Sequence, residues 1–177
     1  VKAAMAEADR ERERGRELAA TRAVTTFRST TPIGQHAYLE RKKVGAFGVG
    51  FLDGELYIPV RDVDGKTWGY QRLTKDGKKL FLSGQRVDGC FHQIGDKTDR
   101  IFVCEGYATG ASIHMATGQA VFCAFHAGNL RAVARVVRER YPTASITVAG
   151  DDDQWTAGNP GRSKGDEAAL VAMAAAA

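Results

Sequence analysis

The sequence predicts an α/β protein in two lobes: a small antiparallel β lobe of α+β character, followed by a βαβαβα lobe with a parallel sheet. Three observations carry that expectation. Alternating apolar runs in the first hundred residues are broken by Asp53-Gly54, Asp64-Gly65 and Asp76-Gly77, and Asp-Gly between alternating runs is the strongest short-range hairpin signal. After Asp99 the period changes, and strand-like runs alternate with helical spacing, which demands parallel strands joined by right-handed crossovers. Two of these runs end abruptly in carboxylates, one at Glu105 and the other at Asp151, Asp152 and Asp153.

Residues 3–24 have helix-forming composition but almost no large apolar side chain between Met5 and Leu18. They read as a solvated helix with Glu/Arg pairs at spacing three, or as a partly disordered connector. A short helix is expected after Pro32, with Ala37, Tyr38 and Leu39 facing inward. FGVGFL, ELYIPVRDVDG, TWGYQRLTKDG and KKLFLSG then form an antiparallel meander of four or five strands. IFVCEG is a strand, YATGASIHMAT a helix closed by Gly118, and AVFCAFH a strand. NLRAVARVVRERY is a helix with Leu130, Val133, Ala134 and Val137 on one face, stopped by Pro142. SITVAG is the third strand, and SKGDEAALVAMAAAA the third helix, with Ser163 at its N-cap. The expected boundaries are 1–28 for a charged helical linker, 29–99 for the small lobe and 100–177 for the α/β lobe. Because the chain opens on Val1 and closes on an alanine run, we expect a segment of a longer protein, with the first helix as a connector.

At 177 residues and 44% hydrophobic content the chain can bury a sizeable core. It has no run of eighteen apolar residues and a charged N-terminus, so neither a membrane span nor a secretory signal is expected, and we anticipate a cytoplasmic protein. Cys90, Cys104 and Cys123 are widely spaced and read as buried small hydrophobes in a reducing compartment. His36, His92, His114 and His126 are scattered, and no paired Cys or His has zinc spacing. The net charge of +4 is uneven, with +2 over residues 1–28, +3 over 29–100 and −1 over 101–177. A basic lobe followed by an acidic pocket suits a phosphate-backbone substrate.

Ligands of an open parallel sheet bind at the strand C-terminal edge, which is where Glu105 and the three aspartates are expected. Two carboxylates about 4 Å apart repel by about 4 kcal/mol at an effective dielectric near 20, so such a cluster calls for a cation. Mg²⁺ takes one or two carboxylates and completes its shell with water and phosphate oxygens. The Asp-x-Asp spacing puts Asp151 and Asp153 on one side of an extended segment, with Asp152 turned to a second ion or to the next helix. Gly106 follows Glu105 at a tight turn into a helix, whose N-terminal amides suit a phosphate oxygen. AFHAGNL closes the middle strand at the same edge, so His126 or Asn129 can reach the pocket, and Asn129 also reads as a helix N-cap. In TAGNPGRSK, Arg162 or Lys164 can lie over a phosphate, although the lysine lacks the glycine spacing of a Walker A loop. Lys78, Lys79 and Arg86 stand ready for a nucleic-acid backbone or a triphosphate, or are solvated strand-edge cations.

EGYATG followed about 45 residues later by Asp-x-Asp resembles the Toprim fold of primases, topoisomerases and some nucleases. EGYAT is similar to the primases of conjugative plasmids (TraC-like) and of satellite phages. YLERKKV, ELYIPVRDVDGKTWGYQ and KKLFLSGQRVDGCF resemble the small lobe that precedes Toprim in DnaG-type bacterial primases. The resemblance spans about residues 33–170. It implies a DNA primase catalytic core that makes short primers on a single-stranded DNA template by metal-dependent nucleotidyl transfer from nucleoside triphosphates. Glu105, Asp151 and Asp153 match the family's acids, and with Asp152 are the expected ligands of Mg²⁺ or Mn²⁺. Lys79 and Arg86 lie where such primases have basic residues touching template or nucleotide. Similar proteins carry an acidic or amide residue at the position of His126. The zinc module and helicase portion that accompany such cores are absent from this segment, so those partners are expected elsewhere.

Other classes remain open. A Toprim nuclease would use the same acids to hydrolyse a phosphodiester, and a non-catalytic module would bind nucleic acid with the acids neutralised. A topoisomerase needs a further domain bearing a nucleophilic tyrosine, for which the chain has no room. In haloacid-type phosphatases the Asp-x-Asp opens the fold, whereas here it comes near the end of the sequence.

Overall fold

The charged N-terminal stretch folds as one helix, α1 (Lys2–Arg28), in the computed structural model of the chain, which describes residues 2–32 and 34–150. Its first half is exposed and carries ion pairs at spacing three, Asp9–Arg12 and Glu13–Arg16, each at 3.2 Å. Pairs this exposed contribute little. The second half is anchored, with Ala19, Ala20 and Ala23 buried, Leu82 and Tyr70 packed with Ala19 and Ala23, and Phe27 edge-on to Tyr70 at 6.3 Å. Alanines let a helix approach a sheet closely, which a search for large apolar residues overlooks.

The chain divides into two compact units after Cys90. In the first, α2 (Ala37–Lys42) occupies the expected place after Pro32 and buries Tyr38 and Leu39. Ala37 faces solvent instead, and the inward residue is His36, whose ring Nδ1 accepts the Tyr38 amide at 3.2 Å as the N-cap. An N-cap must turn its side chain back over the first turn, and this places the imidazole beneath the helix.

The meander is a four-stranded antiparallel sheet in the order β1 (Gly50–Leu52), β2 (Glu55–Arg61), β3 (Thr67–Leu73), β4 (Lys79–Phe81). Each Asp-Gly makes its turn, in two geometries. Asp53 and Gly54 both have positive φ, 52° and 74°, the two-residue type I′ link that matches strand twist. The other two loops are longer. Gly65 and Gly77 sit at φ 82° and 85°, with their amides bonded back to Asp62 O at 3.0 Å and Thr74 O at 2.8 Å. Asp62 also ties the 62–66 loop down, accepting the Lys66 amide at 2.9 Å and the Trp68 indole N–H at 2.7 Å.

Cys90 closes this unit, fully buried, and burial pushes its thiol up to about 11 from 9.0. An unfolded chain loses that proton first, so the stability held by the neutral thiol is complete below pH 9 and is lost as pH rises through about 11. Denaturant midpoints across that window should therefore fall more steeply for the native chain than for Cys90→Ala; parallel slopes would contradict the buried neutral thiol.

The second unit contains β5 (His92–Ile94), β6 (Arg100–Cys104), α3 (Tyr107–Thr117), β7 (Ala120–Cys123), α4 (Leu130–Arg140) and β8 (Ser145–Ala149). The sheet order is β5-β7-β6-β8, with β6 parallel to both β7 and β8 as the alternation requires. It is not wholly parallel, because β5 adds an antiparallel edge to β7. Three residues are too few for a strand to declare itself by period.

Both faces of this sheet are covered. On one, α3 lies so close that a Cβ on Gly110 would run into Cys123 Sγ and stand 3.2 Å from Cys104 Sγ. On the other, Leu130, Val133 and Val137 of α4 pack on Ile101, Val103, Ala120 and Phe122. Gly118 at φ 67° caps α3, its amide bonded to His114 O at 2.7 Å, and α4 ends at Arg140 before Pro142. The third helix expected around Ser163 lies outside the described residues.

Candidate functional site

Strand register decides what meets at the functional edge. Cys104 of β6 is level with Cys123 of β7 and with Ala149 of β8, so the three parallel strands finish together. Glu105, Ala124 and Gly150 are each the next residue in their strand, and all three leave the sheet at its C-terminal edge. Glu105 is half-buried there, between Cys104 and the Gly106 N-cap of α3.

The end of β7 is bonded across to the end of β6. The Ala124 amide donates to Cys104 O at 2.8 Å, and the Phe125 amide donates to Glu105 O at 2.6 Å. Phe125 adopts φ 72°, a left-handed conformation that bulky side chains resist. His126 follows, exposed on the same rim. Asn129 stands at the N-terminus of α4, as its N-cap reading requires, yet its side chain caps nothing. It is buried, and its Nδ2 donates to Ala124 O at 2.9 Å. Asn129 and Phe125 are the residues sequence reasoning left undervalued; the Gly-Asn pair marks a turn, but a left-handed phenylalanine has no signature in composition.

Asp151, Asp152, Asp153, Arg162 and Lys164 lie outside the described residues. Among the described residues no group of three or more His, Cys, Asp or Glu is placed to hold a metal ion. The donor chemistry fits Mg²⁺ or Mn²⁺ nonetheless, since Glu105 supplies a hard carboxylate on the edge where β8 ends, directly before the aspartates in sequence. Lys79 and Arg86 belong to the first unit. Lys79 is exposed on β4, with its Nζ 5.9 Å from the Tyr38 ring centre. Arg86 lies over Trp68 at 5.2 Å and donates to Asp88 O at 3.2 Å, so part of its capacity is already engaged. Lys78 pairs with Asp76 at 3.0 Å.

The cysteines behave as packing residues. All three are buried thiols outside any disulfide, and Cys104 Sγ lies 3.8 Å from Cys123 Sγ. The Cys104 contact, together with complete burial, holds the Cys123 thiol well above its ordinary range and unreactive.

Residues 100–177 match the Toprim domain family. Over 172 residues the chain is 39% identical to a DNA primase TraC of Escherichia coli, an alignment covering 90% of this chain and 16% of that protein. A second DNA primase TraC of Escherichia coli is 36% identical over 172 residues, covering 90% of this chain and 12% of the relative. The chain thus spans less than a fifth of the curated relatives it matches. Among solved structures, the primase fragment of the bacteriophage T7 primase-helicase protein superposes with a TM-score of 0.51 at 14% identity, over 83% of this chain and 66% of that one. A chain from the T7 lagging-strand DNA polymerase complex with primase domains bound to an RNA/DNA hybrid and dTTP gives a TM-score of 0.51 at 15% identity, over 80% and 74%. These likenesses show a shared fold. Residues 100–177 therefore resemble a Toprim domain, within a chain that is similar along nine-tenths of its length to the TraC primases.

Proposed function

We propose that this chain is the catalytic core of a DNA primase, joining nucleotides into short primers on a single-stranded DNA template. The observation that carries this reading is the common finish of β6, β7 and β8, which puts Glu105 on the edge from which the chain continues into Asp151, Asp152 and Asp153. The TraC likeness supports the primase class of reaction.

Glu105, Asp151 and Asp153, with Asp152 beside them, are the residues that would hold Mg²⁺ or Mn²⁺. When bound, such ions neutralise triphosphate charge and lower the cost of the developing negative charge on the reacting oxygens. The protein's task is then orientation. A primer 3′-hydroxyl must sit in line with the α-phosphorus of the incoming nucleotide while pyrophosphate departs, and carboxylates at rigid strand ends suit that demand. Lys79, Arg86, Arg162 and Lys164 are assigned to the phosphates of template and nucleotide, as fixed positive charge. Helicase and template-selecting partners are assigned to other polypeptide. No helix among the described residues is long and apolar enough to cross a membrane, and we place the protein in the cytoplasm.

The deciding assay supplies single-stranded DNA, nucleoside triphosphates and Mg²⁺. New oligonucleotides that disappear on chelation are expected. Metal-dependent shortening of the DNA without added nucleotides would instead identify a nuclease, and tight binding without either reaction a binding module.

A further inference from the structure

We propose that Asn129 is a positioning residue that sets Glu105 through the left-handed turn at Phe125; this rests on the role given to Glu105 above. As the N-cap residue of α4, Asn129 makes no side-chain capping hydrogen bond to that helix. Asn129 points backwards into the protein instead, where it is 1% exposed and donates to Ala124 O. A buried amide is costly unless bonded, so this bond defines where the 124–129 segment lies.

That segment in turn grips the end of β6. Two consecutive amides, of Ala124 and Phe125, bond the two consecutive carbonyls of Cys104 and Glu105. The second of these bonds is made by a residue at φ 72°. Strain of this kind persists only where the surroundings over-determine the backbone, and here the restraints are visible: Asn129 Nδ2 on Ala124 O, the Asn129 amide on His126 O at 3.1 Å, and the Phe125 amide on Glu105 O. Gly106, the next residue along, has no side chain with which to cap α3 or to steady the peptide. The main chain at Glu105 is thus held from the β7 side, across the sheet edge.

The test compares Asn129→Asp, which keeps the volume but removes the donor, and Phe125→Val, whose branched side chain resists the left-handed turn, with the native chain. Amide hydrogen exchange at residue 125 should accelerate in both. Mn²⁺ affinity by electron paramagnetic resonance, and primer synthesis, should fall by about 10- to 100-fold, the usual loss when an outer support of a ligand is removed. Val133→Ala, which loosens the α4 packing without touching the turn, is the control and should leave Mn²⁺ affinity unchanged. Native Mn²⁺ affinity in both turn variants, alongside weakened affinity in Glu105→Gln, would overturn the positioning role while sparing Glu105. An equal loss in Val133→Ala would also overturn it, by reducing the effect to general destabilisation. Native affinity in Glu105→Gln would remove the reading of Glu105 itself, and this inference with it.

Discussion

Glu105→Gln is expected to lower primer synthesis by about 100-fold or more while the protein stays folded. The substitution keeps size and shape and removes one negative charge. The cross-strand bond at this position uses the main-chain oxygen of Glu105, accepted from the Phe125 amide, so the backbone has no reason to move. In the proposed mechanism, what changes is the electrostatic deficit that would recruit a divalent ion: a neutral amide oxygen is a far weaker ligand than a carboxylate. Asp151→Asn should behave alike, because the two acids serve one centre in the proposed mechanism. The measurement is product length and yield on single-stranded template across a Mg²⁺ titration, with thermal unfolding as the check on folding. Undiminished synthesis by both variants would remove the catalytic assignment.

Phe122→Ala should cost about 3–5 kcal/mol, a large share of the 5–15 kcal/mol typical of a whole domain. Phe122 is 1% exposed in the middle of β7. Its ring meets Phe91 edge-on, with centres 4.8 Å apart, and Tyr141 at 6.1 Å, and it lies in the cluster formed by Val103, Val133 and Val137. Truncation opens a void between sheet and α4 that backbone elements on both sides cannot collapse to fill. Because Phe122 is paired with Val103, one residue before the level of Cys104, the damage should also reach the functional edge. Far-UV circular dichroism or hydrogen exchange on β6 and β7 is the appropriate readout. A loss under about 1 kcal/mol would mean that this face is not packed as described.

Much of the fold was legible before any coordinates. Asp53-Gly54 announced a hairpin because φ is positive at both positions, a demand Asp and Gly meet cheaply. Gly118 and Pro142 bounded α3 and α4 through local backbone restrictions. Glu105 was identified from an apolar run that stops in a carboxylate, and the parallel register of β6 with β8 agrees with the edge position inferred for it. Less legible were features without a local cause. The burial of α1 depends on Ala19 and Ala23 meeting Leu82, a contact that composition cannot reveal. Asn129 has the sequence position of a cap but spends its amide five residues upstream.

Local sequence thus marked most of the described strands, helices and turns, β5 excepted, and the carboxylates that are candidates for chemistry, because those properties follow from side-chain period and from φ/ψ limits within a few residues. Only the tertiary structure decided the order β5-β7-β6-β8, the inward turn of His36 and the left-handed backbone of Phe125. Each of these is settled by hydrogen bonds and packing between segments far apart in the chain, and such contacts can impose a conformation that local preference alone would reject.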